Sequence, residues 1–145
     1  MTNKVVDGLS HLLADTYVLY VKTQNFHWNI RGPHFFDYHK MLEAQYEALA
    51  EATDVLAERI RALQALAPAS MGQFLKLTSL KEAGNDLKAE VMIKLLLADH
   101  EAVGKMIEGL FLVVEKSGDE VTMDLLIQRK TEHDKMAWML RSIVG

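Results

Sequence analysis

The sequence of 145 residues contains no cysteine, which excludes disulfides, thiolate metal sites and thiol nucleophiles. Any metal ligand must therefore be an oxygen or a nitrogen atom. Only 2 prolines and 8 glycines occur, whereas 50% of the residues are hydrophobic. This balance is typical of a mainly helical protein rather than a many-turned β fold. The length suits a single domain that spans residues 1–145.

Long apolar runs are also missing. No stretch approaches the roughly 18 apolar residues of a membrane helix, and the start, MTNKVVDGLS, lacks the basic and apolar segments of a signal peptide. We therefore expect a cytoplasmic protein with no membrane partner. The net charge of -4 provides no general attraction to nucleic acid or anionic lipid.

Apolar residues recur at helical spacing in four long segments, which predicts four long helices. The first runs from Val6 to about Asn29, and the second from about His34 to Ala65, after the break NIRGP. The third runs from about Asp86 to Lys116 and the fourth from about Glu120 to Ser142. A short helix, Met71 to Leu77, is expected in the long connection between the second and third helices. The pattern predicts an all-α four-helix bundle with one crossover connection.

The periodicity also predicts which side chains form the core. The apolar stripe of the third helix comprises Leu87, Val91, Leu95, Ala98, Ala102, Met106, Leu110 and Val113. The fourth helix runs through Met123, Leu126, Ile127, Lys130, Met136, Ala137, Leu140 and Ile143 at the same spacing. Trp138 is expected in the core or at an interface, and several methionines are expected to fill gaps in the core: Met92, Met106, Met123, Met136 and Met139. Four histidines are expected at the surface or at an interface: His11, His34, His100 and His133.

Two acid/base pairs, His39 with Glu43 and Asp54 with Glu58, share one face of the second helix. At about 1.5 Å per residue, His39 and Asp54 are roughly 22 Å apart, so one chain cannot close both pairs around one metal ion. The same helix of a second copy, laid antiparallel across a two-fold axis, would join the two halves twice. His27, at the end of the first helix, is placed to add a nitrogen near His39.

Imidazole and carboxylate ligands suit Fe(II), manganese or zinc, and open coordination positions favour iron that reacts with an oxidant. In the alternative, Asp54 and Glu58 belong with Arg59 and Arg61 to a solvated helix face with ion pairs. No glutamate is followed by histidine three residues later, so the Glu-x-x-His motif of di-iron sites inside one bundle is absent. The motifs of zinc proteases, phosphate-binding loops and nucleophile elbows are absent as well.

Several of these segments resemble one known family. FHWN at 26–29, Gly32, Phe35, His39, Glu43 and DVLAERI at 54–60 are similar to the Dps family, the DNA-binding proteins from starved cells, also called miniferritins. SMGQFLKLTSLKE at 70–82 and HDKMAWML at 133–140 extend the resemblance over nearly the whole chain. It implies a ferritin-like four-helix bundle that assembles into a hollow homo-dodecamer with ferroxidase sites at its two-fold interfaces.

The resemblance also implies the ligands and the reaction. His27, His39 and Glu43 of one subunit would hold iron together with Asp54 and Glu58 of the two-fold partner. The implied activity is that of a ferroxidase, which oxidises Fe(II) with hydrogen peroxide, preferably, or with oxygen. The ferric product is stored and the cell is protected against oxidative stress. Trp28 could quench oxidising equivalents near the site, or simply pack at the interface.

Further expectations concern iron entry and DNA. Asp119, Glu120 and Asp124 resemble the acidic lining of the family's three-fold pores, although acidic residues also favour a helix N-terminus. The lysine-rich tail of the DNA-binding members is missing, so we expect weak or absent DNA binding. Two alternatives remain open: a nucleoid protein that binds or condenses DNA and has incidental metal affinity, and a non-enzymatic assembly or adhesion module.

Overall fold

The computed structural model describes residues 2–145, with side chains from Lys4 onward, and consists of five helices. They are α1 (Thr2–Asn29), α2 (Phe35–Ala62), α3 (Met71–Leu77), α4 (Ala89–Ser117) and α5 (Glu120–Val144). No strand occurs within residues 2–145, and none of these helices is long and apolar enough to cross a membrane. The predicted all-α bundle, with a short helix before the third long one, is confirmed.

The helix ends differ from the predicted ends by a few residues, for local reasons. α2 stops at Ala62 rather than Ala65, because Gln64 adopts a left-handed φ of 70°. α4 begins at Ala89, since the backbone of Lys88 is extended. Gly118 ends α4 with a φ of 74°, which glycine adopts without a Cβ penalty.

The long helices form two antiparallel hairpins, α1 with α2 and α4 with α5, which pack together mainly through α1 and α4. α1 and α4 are antiparallel, since Lys22 meets Asp99 while Gly8 meets Leu110. A Cβ at Gly8 would meet the end of the Leu110 side chain, so glycine permits this close approach. The core between the hairpins is formed by Leu9, Leu12, Leu19, Phe26, Leu42, Leu49, Leu56, Ile93, Leu96, Val103, Ile107, Leu126 and Leu140.

Buried polar groups tie the crossover between α2 and α4 to the bundle. The Asp15 carboxylate, 1% exposed, accepts hydrogen bonds from Thr78 Oγ1 (2.6 Å), Ser79 N (2.7 Å) and Ser79 Oγ (2.8 Å). Lys22 Nζ, on the same helix, donates to the backbone oxygen of Lys81 in the crossover at 2.9 Å. Since a buried carboxylate is stable only when its oxygens are paired, these bonds fix the crossover against α1.

His100 and His133 contradict the prediction of a surface or interface position, because both are buried inside the bundle. His100 Nδ1 lies 2.9 Å from His133 Nδ1, and Arg129 Nη2 donates to His133 Nε2 at 3.0 Å. Burial, with a smaller contribution from the Arg129 charge, lowers the pKa of His100 to about 3. Burial, followed by the charges of His100 and Arg129, also lowers the pKa of His133 well below its ordinary value. Both rings are therefore neutral at neutral pH.

The predicted stripe of the third helix is only partly correct. Five of its residues pack against the core: Leu87, Leu95, Met106, Leu110 and Val113. Val91, Ala98 and Ala102 are exposed, whereas the buried face of α4 comprises Met92, Ile93, Leu96, His100, Val103, Gly104, Ile107 and Val114. α4 carries apolar side chains on more than one face, so periodicity alone does not select the face that packs. In α5, similarly, Ile127 is exposed while Arg129 is buried.

Most of the other predictions for single side chains agree with the structure. His11 and His34 are exposed. Met92, Met106 and Met123 lie in the core or pack against it, Met136 is buried, and Met139 is partly buried. Trp138 is 60% exposed, so the core position is wrong for this residue and the interface position stays a prediction.

Candidate metal centre

His27 of α1 and two residues of α2, His39 and Glu43, form a cluster of metal-ligand type. One ligand atom from each of the three side chains lies within 4.8 Å of the other two. His27 Nε2 is 3.9 Å from Glu43 Oε1. The short turn after α1 places the end of that helix beside the start of α2, which is why residues twelve positions apart meet here. The sequence-based expectation that His27 lies near His39 agrees with this geometry.

The backbone sets the tautomer of both imidazoles. His27 Nδ1 lies 2.7 Å from the backbone oxygen of His39, and His39 Nδ1 lies 2.8 Å from the backbone oxygen of His27. A carbonyl oxygen only accepts hydrogen bonds, so each Nδ1 carries the hydrogen and donates it. Each Nε2 is therefore unprotonated in the neutral ring, with a lone pair available to a metal ion.

Aromatic side chains hold these two imidazoles in place. The rings of His27 and His39 stack at 3.8 Å between centroids with 9° between planes. Phe35 stacks on His39 at 4.8 Å, and Tyr46 meets His27 edge-on at 5.1 Å. Sequence reasoning included Phe35 in the family resemblance but gave neither aromatic residue a role at the site, although Phe35 precedes His39 by one helical turn and Tyr46 follows Glu43 by three residues. His27 is buried, whereas His39 and Glu43 are half-buried, so the cluster has a rigid inner side and an open outer side.

Asp54 and Glu58 take no part in this cluster. Both are exposed on α2, which is one continuous helix from Phe35 to Ala62. At about 1.5 Å per residue, Asp54 lies roughly 22 Å from His39 along that helix. The chain therefore carries three candidate ligands at one end of α2 and two exposed carboxylates further along it.

The three acidic residues near the start of α5 differ in their surroundings. Asp119 caps the helix by accepting from Thr122 N at 2.9 Å, and Arg59 Nη2 donates to its carboxylate at 3.0 Å. Burial raises the pKa of Asp119, but the hydrogen bonds from Thr122 and Arg59 outweigh it and the net pKa is lowered. Glu120 and Asp124 are exposed. Asp119 thus already serves the helix start, while the other two carboxylates face outward.

Trp28 lies next to His27 in sequence and is 65% exposed. Because successive side chains on a helix point about 100° apart, Trp28 projects away from the buried imidazole. Both of its predicted roles, redox quenching and packing at an interface, stay predictions.

A family model described as "Ferritin-like domain" matches residues 6–145. The chain is 36% identical over 145 residues to "DNA protection during starvation protein 2" of Bacillus anthracis, and the match covers 100% of this chain and 99% of that protein. It superposes on the crystal structure of Dps from Staphylococcus aureus with a TM-score of 0.96 and 33% identity, covering 99% of this chain and 96% of that one.

A second solved structure, a Dps protein from Vibrio cholerae O1, superposes with a TM-score of 0.95 and 30% identity. The match covers 99% of this chain and 91% of that chain. The Vibrio protein is described as a member of a broad superfamily of ferritin-like diiron-carboxylate proteins.

Proposed function

This chain belongs to the Dps family of ferritin-like proteins, and from that premise we propose that it oxidises Fe(II) and stores the ferric product. Family membership supports iron storage and oxidative protection in general terms. The observation that carries the more specific proposal is the cluster of His27, His39 and Glu43. Its two Nε2 atoms, which are not held by the backbone, and one carboxylate are a donor set that suits Fe(II).

The site is completed by a second copy of the chain. Asp54 and Glu58 are exposed and too far along α2 to reach His39 of their own chain. A two-fold axis across the middle of α2 would place these carboxylates opposite the histidines of the other copy, and would form two identical sites. Repetition of such dimers in a closed shell, the proposed homo-dodecamer, would enclose a cavity for the ferric product.

In the proposed reaction, two Fe(II) ions each lose one electron to hydrogen peroxide. The peroxide takes up two electrons and two protons, its O–O bond breaks, and two waters form without release of a hydroxyl radical. His27 and His39 bind iron through Nε2, and their Nδ1 hydrogen bonds hold the rings in the binding orientation. Glu43, with Asp54 and Glu58 of the second copy, supplies negative charge that favours the more highly charged Fe(III). Oxygen is the alternative oxidant.

A mixing experiment tests the shared site. One variant carries His27→Ala and His39→Ala, and the other carries Asp54→Ala and Glu58→Ala. Each variant alone should lose peroxide-dependent Fe(II) oxidation, followed by absorbance of the ferric product. Unfolding and refolding the two together should restore activity to about a quarter of the wild-type level, because half of the dimers are mixed and each mixed dimer has one intact site.

The control variant carries Asp7→Ala and Glu132→Ala, which removes two exposed carboxylates outside α2 and away from the cluster. It should oxidise iron at the wild-type rate. Activity that survives in the Asp54→Ala, Glu58→Ala variant alone would contradict the shared site. The shared site would also be contradicted if both variants are inactive alone and show no Fe(II) oxidation after they are refolded together.

Exposed carboxylates at the start of α5 are the proposed route for iron entry. Glu120 and Asp124 are exposed and carry no cationic partner among the described residues, although Asp124 accepts a hydrogen bond from Gln128 Nε2 at 3.0 Å, whereas Asp119 is engaged with Thr122 and Arg59. Replacing Glu120 and Asp124 by glutamine and asparagine should slow iron uptake at low Fe(II). Saturating Fe(II) should restore the rate, because the oxidation site itself is unchanged.

DNA binding is the rival function, and the name of the Bacillus anthracis relative contains DNA protection. We propose that this chain binds DNA weakly or not at all, because its net charge of -4 opposes the phosphate backbone. A band-shift titration at physiological salt should leave the DNA unretarded. Salt-sensitive retention at micromolar protein would favour the nucleoid function instead.

A further inference from the structure

Aromatic rings form a continuous row that starts at the candidate metal centre. Tyr46 of α2 lies edge-on to His27, with 5.1 Å between ring centroids. Tyr20 of α1 lies 6.0 Å from Tyr46, and Tyr17 lies 5.6 Å from Tyr20. Phe74 of α3 stacks on Tyr17 at 4.5 Å with 18° between planes. Each step in the row is therefore a contact between neighbouring rings.

Helical spacing and the antiparallel packing of α1 and α2 bring these rings into one row. Tyr17 and Tyr20 are three residues apart and share one face of α1. α2 runs antiparallel to α1, so Tyr46, one helical turn beyond Glu43, comes to lie beside Tyr20. At the far end, Tyr17 and Phe74 line a surface groove between α1 and α3.

Apolar packing explains why aromatic rings occur here, but it does not require phenols. Three of the four tyrosines of the chain lie in this row, and the fourth, Tyr38, packs against His34 instead. Tyrosine differs from phenylalanine in having a hydroxyl that can lose an electron and a proton together. Among the described residues, the buried side-chain atoms that lack a hydrogen-bond partner do not include the hydroxyls of Tyr17, Tyr20 and Tyr46. Each phenol can therefore release its proton to solvent or to a hydrogen-bond acceptor.

We propose that Tyr46, Tyr20 and Tyr17 form a relay that carries one-electron oxidising equivalents from the candidate metal centre to the groove beside α3. The proposal rests on the proposed iron oxidation. It concerns the case in which hydrogen peroxide meets a single Fe(II) ion, because the two-electron reaction then lacks its second electron donor.

The chemistry of the relay balances at each step. One Fe(II) gives one electron to hydrogen peroxide, whose O–O bond breaks to yield Fe(III), hydroxide and a hydroxyl radical. The phenol of Tyr46 gives a hydrogen atom to this radical, which yields water and a phenoxyl radical. Tyr20 then reduces Tyr46 by one electron, Tyr46 regains a proton, and Tyr20 loses its own proton to solvent. The same exchange between Tyr20 and Tyr17 leaves the oxidising equivalent on Tyr17.

The relay is tested by locating the radical rather than by measuring turnover. Protein loaded with one Fe(II) per site is mixed with hydrogen peroxide, frozen rapidly and examined by electron paramagnetic resonance. A parallel sample reacts with a nitroso spin trap, and peptide mass spectrometry locates the adduct. Absorbance of the ferric product is recorded on the same samples.

In the wild-type protein we expect a phenoxyl signal and an adduct on Tyr17. Tyr46→Phe should lose most of the phenoxyl signal, since the row is broken at its first step. Tyr20→Phe should keep the signal but move the adduct to Tyr46. Tyr38→Phe is the matched control, with the same chemical change outside the row, and should match the wild type.

Two results would overturn the relay while iron oxidation stands. One is ferric product with an undiminished phenoxyl signal in Tyr46→Phe. The other is an adduct that remains on Tyr17 in Tyr20→Phe, or that lies on Trp28 or Tyr38 in the wild type. Absence of ferric product from the wild type would remove both the relay and the proposed function.

Discussion

Lowering the pH from about 7.5 to about 4.5 should destabilise the bundle through the buried pair His100 and His133. The native rings are neutral, and protonation would place a charge inside the core next to Arg129. The unfolded chain has no such restriction, so its histidines titrate near the ordinary value of 6.5.

The size of the effect follows from the pKa of His100, which burial lowers from 6.5 to about 3. A histidine whose pKa is lower in the folded state contributes its full stability above pH 6.5, and that contribution is lost as the pH falls toward 3. At pH 4.5, His100 alone should reduce the free energy of unfolding by about 2 to 3 kcal/mol. The lowered pKa of His133 adds a loss of the same sign.

Other groups act in the same pH range and have to be separated from the histidines. Burial is the largest influence on Asp99 and raises its pKa, despite the opposing effect of Lys22. Protonation of Asp99 therefore costs less in the folded state, which works against the histidine effect as the pH falls. A comparison with variants cancels this contribution.

Urea unfolding measured at several pH values and one fixed protein concentration provides the assay, since assembly makes the stability depend on concentration. The variant carries His100→Gln and His133→Gln, which keep polar groups in place but do not titrate. It should be less stable than the wild type at pH 7.5, yet lose at least about 2 to 3 kcal/mol less on acidification, since the contributions of both histidines are removed.

His11→Gln, at an exposed position, is the control and should follow the wild type. If the double variant cannot be folded, His133→Gln alone should still lose less unfolding free energy on acidification than the wild type does. Equal losses in the double variant and the wild type would refute the assignment of acid sensitivity to the buried pair.

Two further predictions concern stability and use the same urea assay. Asp15→Ala removes the acceptor of three hydrogen bonds that hold the crossover, and should cost about 3 kcal/mol, whereas Asp7→Ala at an exposed position should change little. An unchanged midpoint in Asp15→Ala would show that the crossover does not depend on this clamp. Gly118→Ala should destabilise by about 1 kcal/mol because φ is 74°, while Gly109→Ala, in open helical surroundings, should stabilise by up to about 1 kcal/mol.

Local sequence patterns were sufficient for most of the secondary structure. The five helices were predictable because apolar residues recur at helical spacing and the breaks contain glycine or proline. The ends were less certain, since a residue such as Gln64 enters the left-handed region without a glycine to signal it. The core face of α4 was misassigned at Val91, Ala98 and Ala102, because more than one face is apolar and only packing against α1 and α5 chooses between them.

At the candidate site, too, local spacing was predictable from the sequence and contacts between helices were not. Spacing along α2 was enough to pair His39 with Glu43 and to separate both from Asp54, because the rise of a helix is constant. The tautomers of His27 and His39 were not predictable, since they depend on carbonyl groups that the two helices exchange across the turn. His100 and His133 were misplaced because their positions, 33 residues apart, meet only when α4 packs on α5.

The sequence by itself determined the helices, the absence of thiol chemistry and the division of the ligands into two groups along α2, because each depends on residue type or on local spacing. Only the tertiary structure decided which Nε2 atoms are free for a metal ion, which histidines are buried neutral, and that three tyrosines stand in one row. Those properties arise from contacts between helices, and such contacts depend on how the faces of α1, α2, α4 and α5 are turned toward one another.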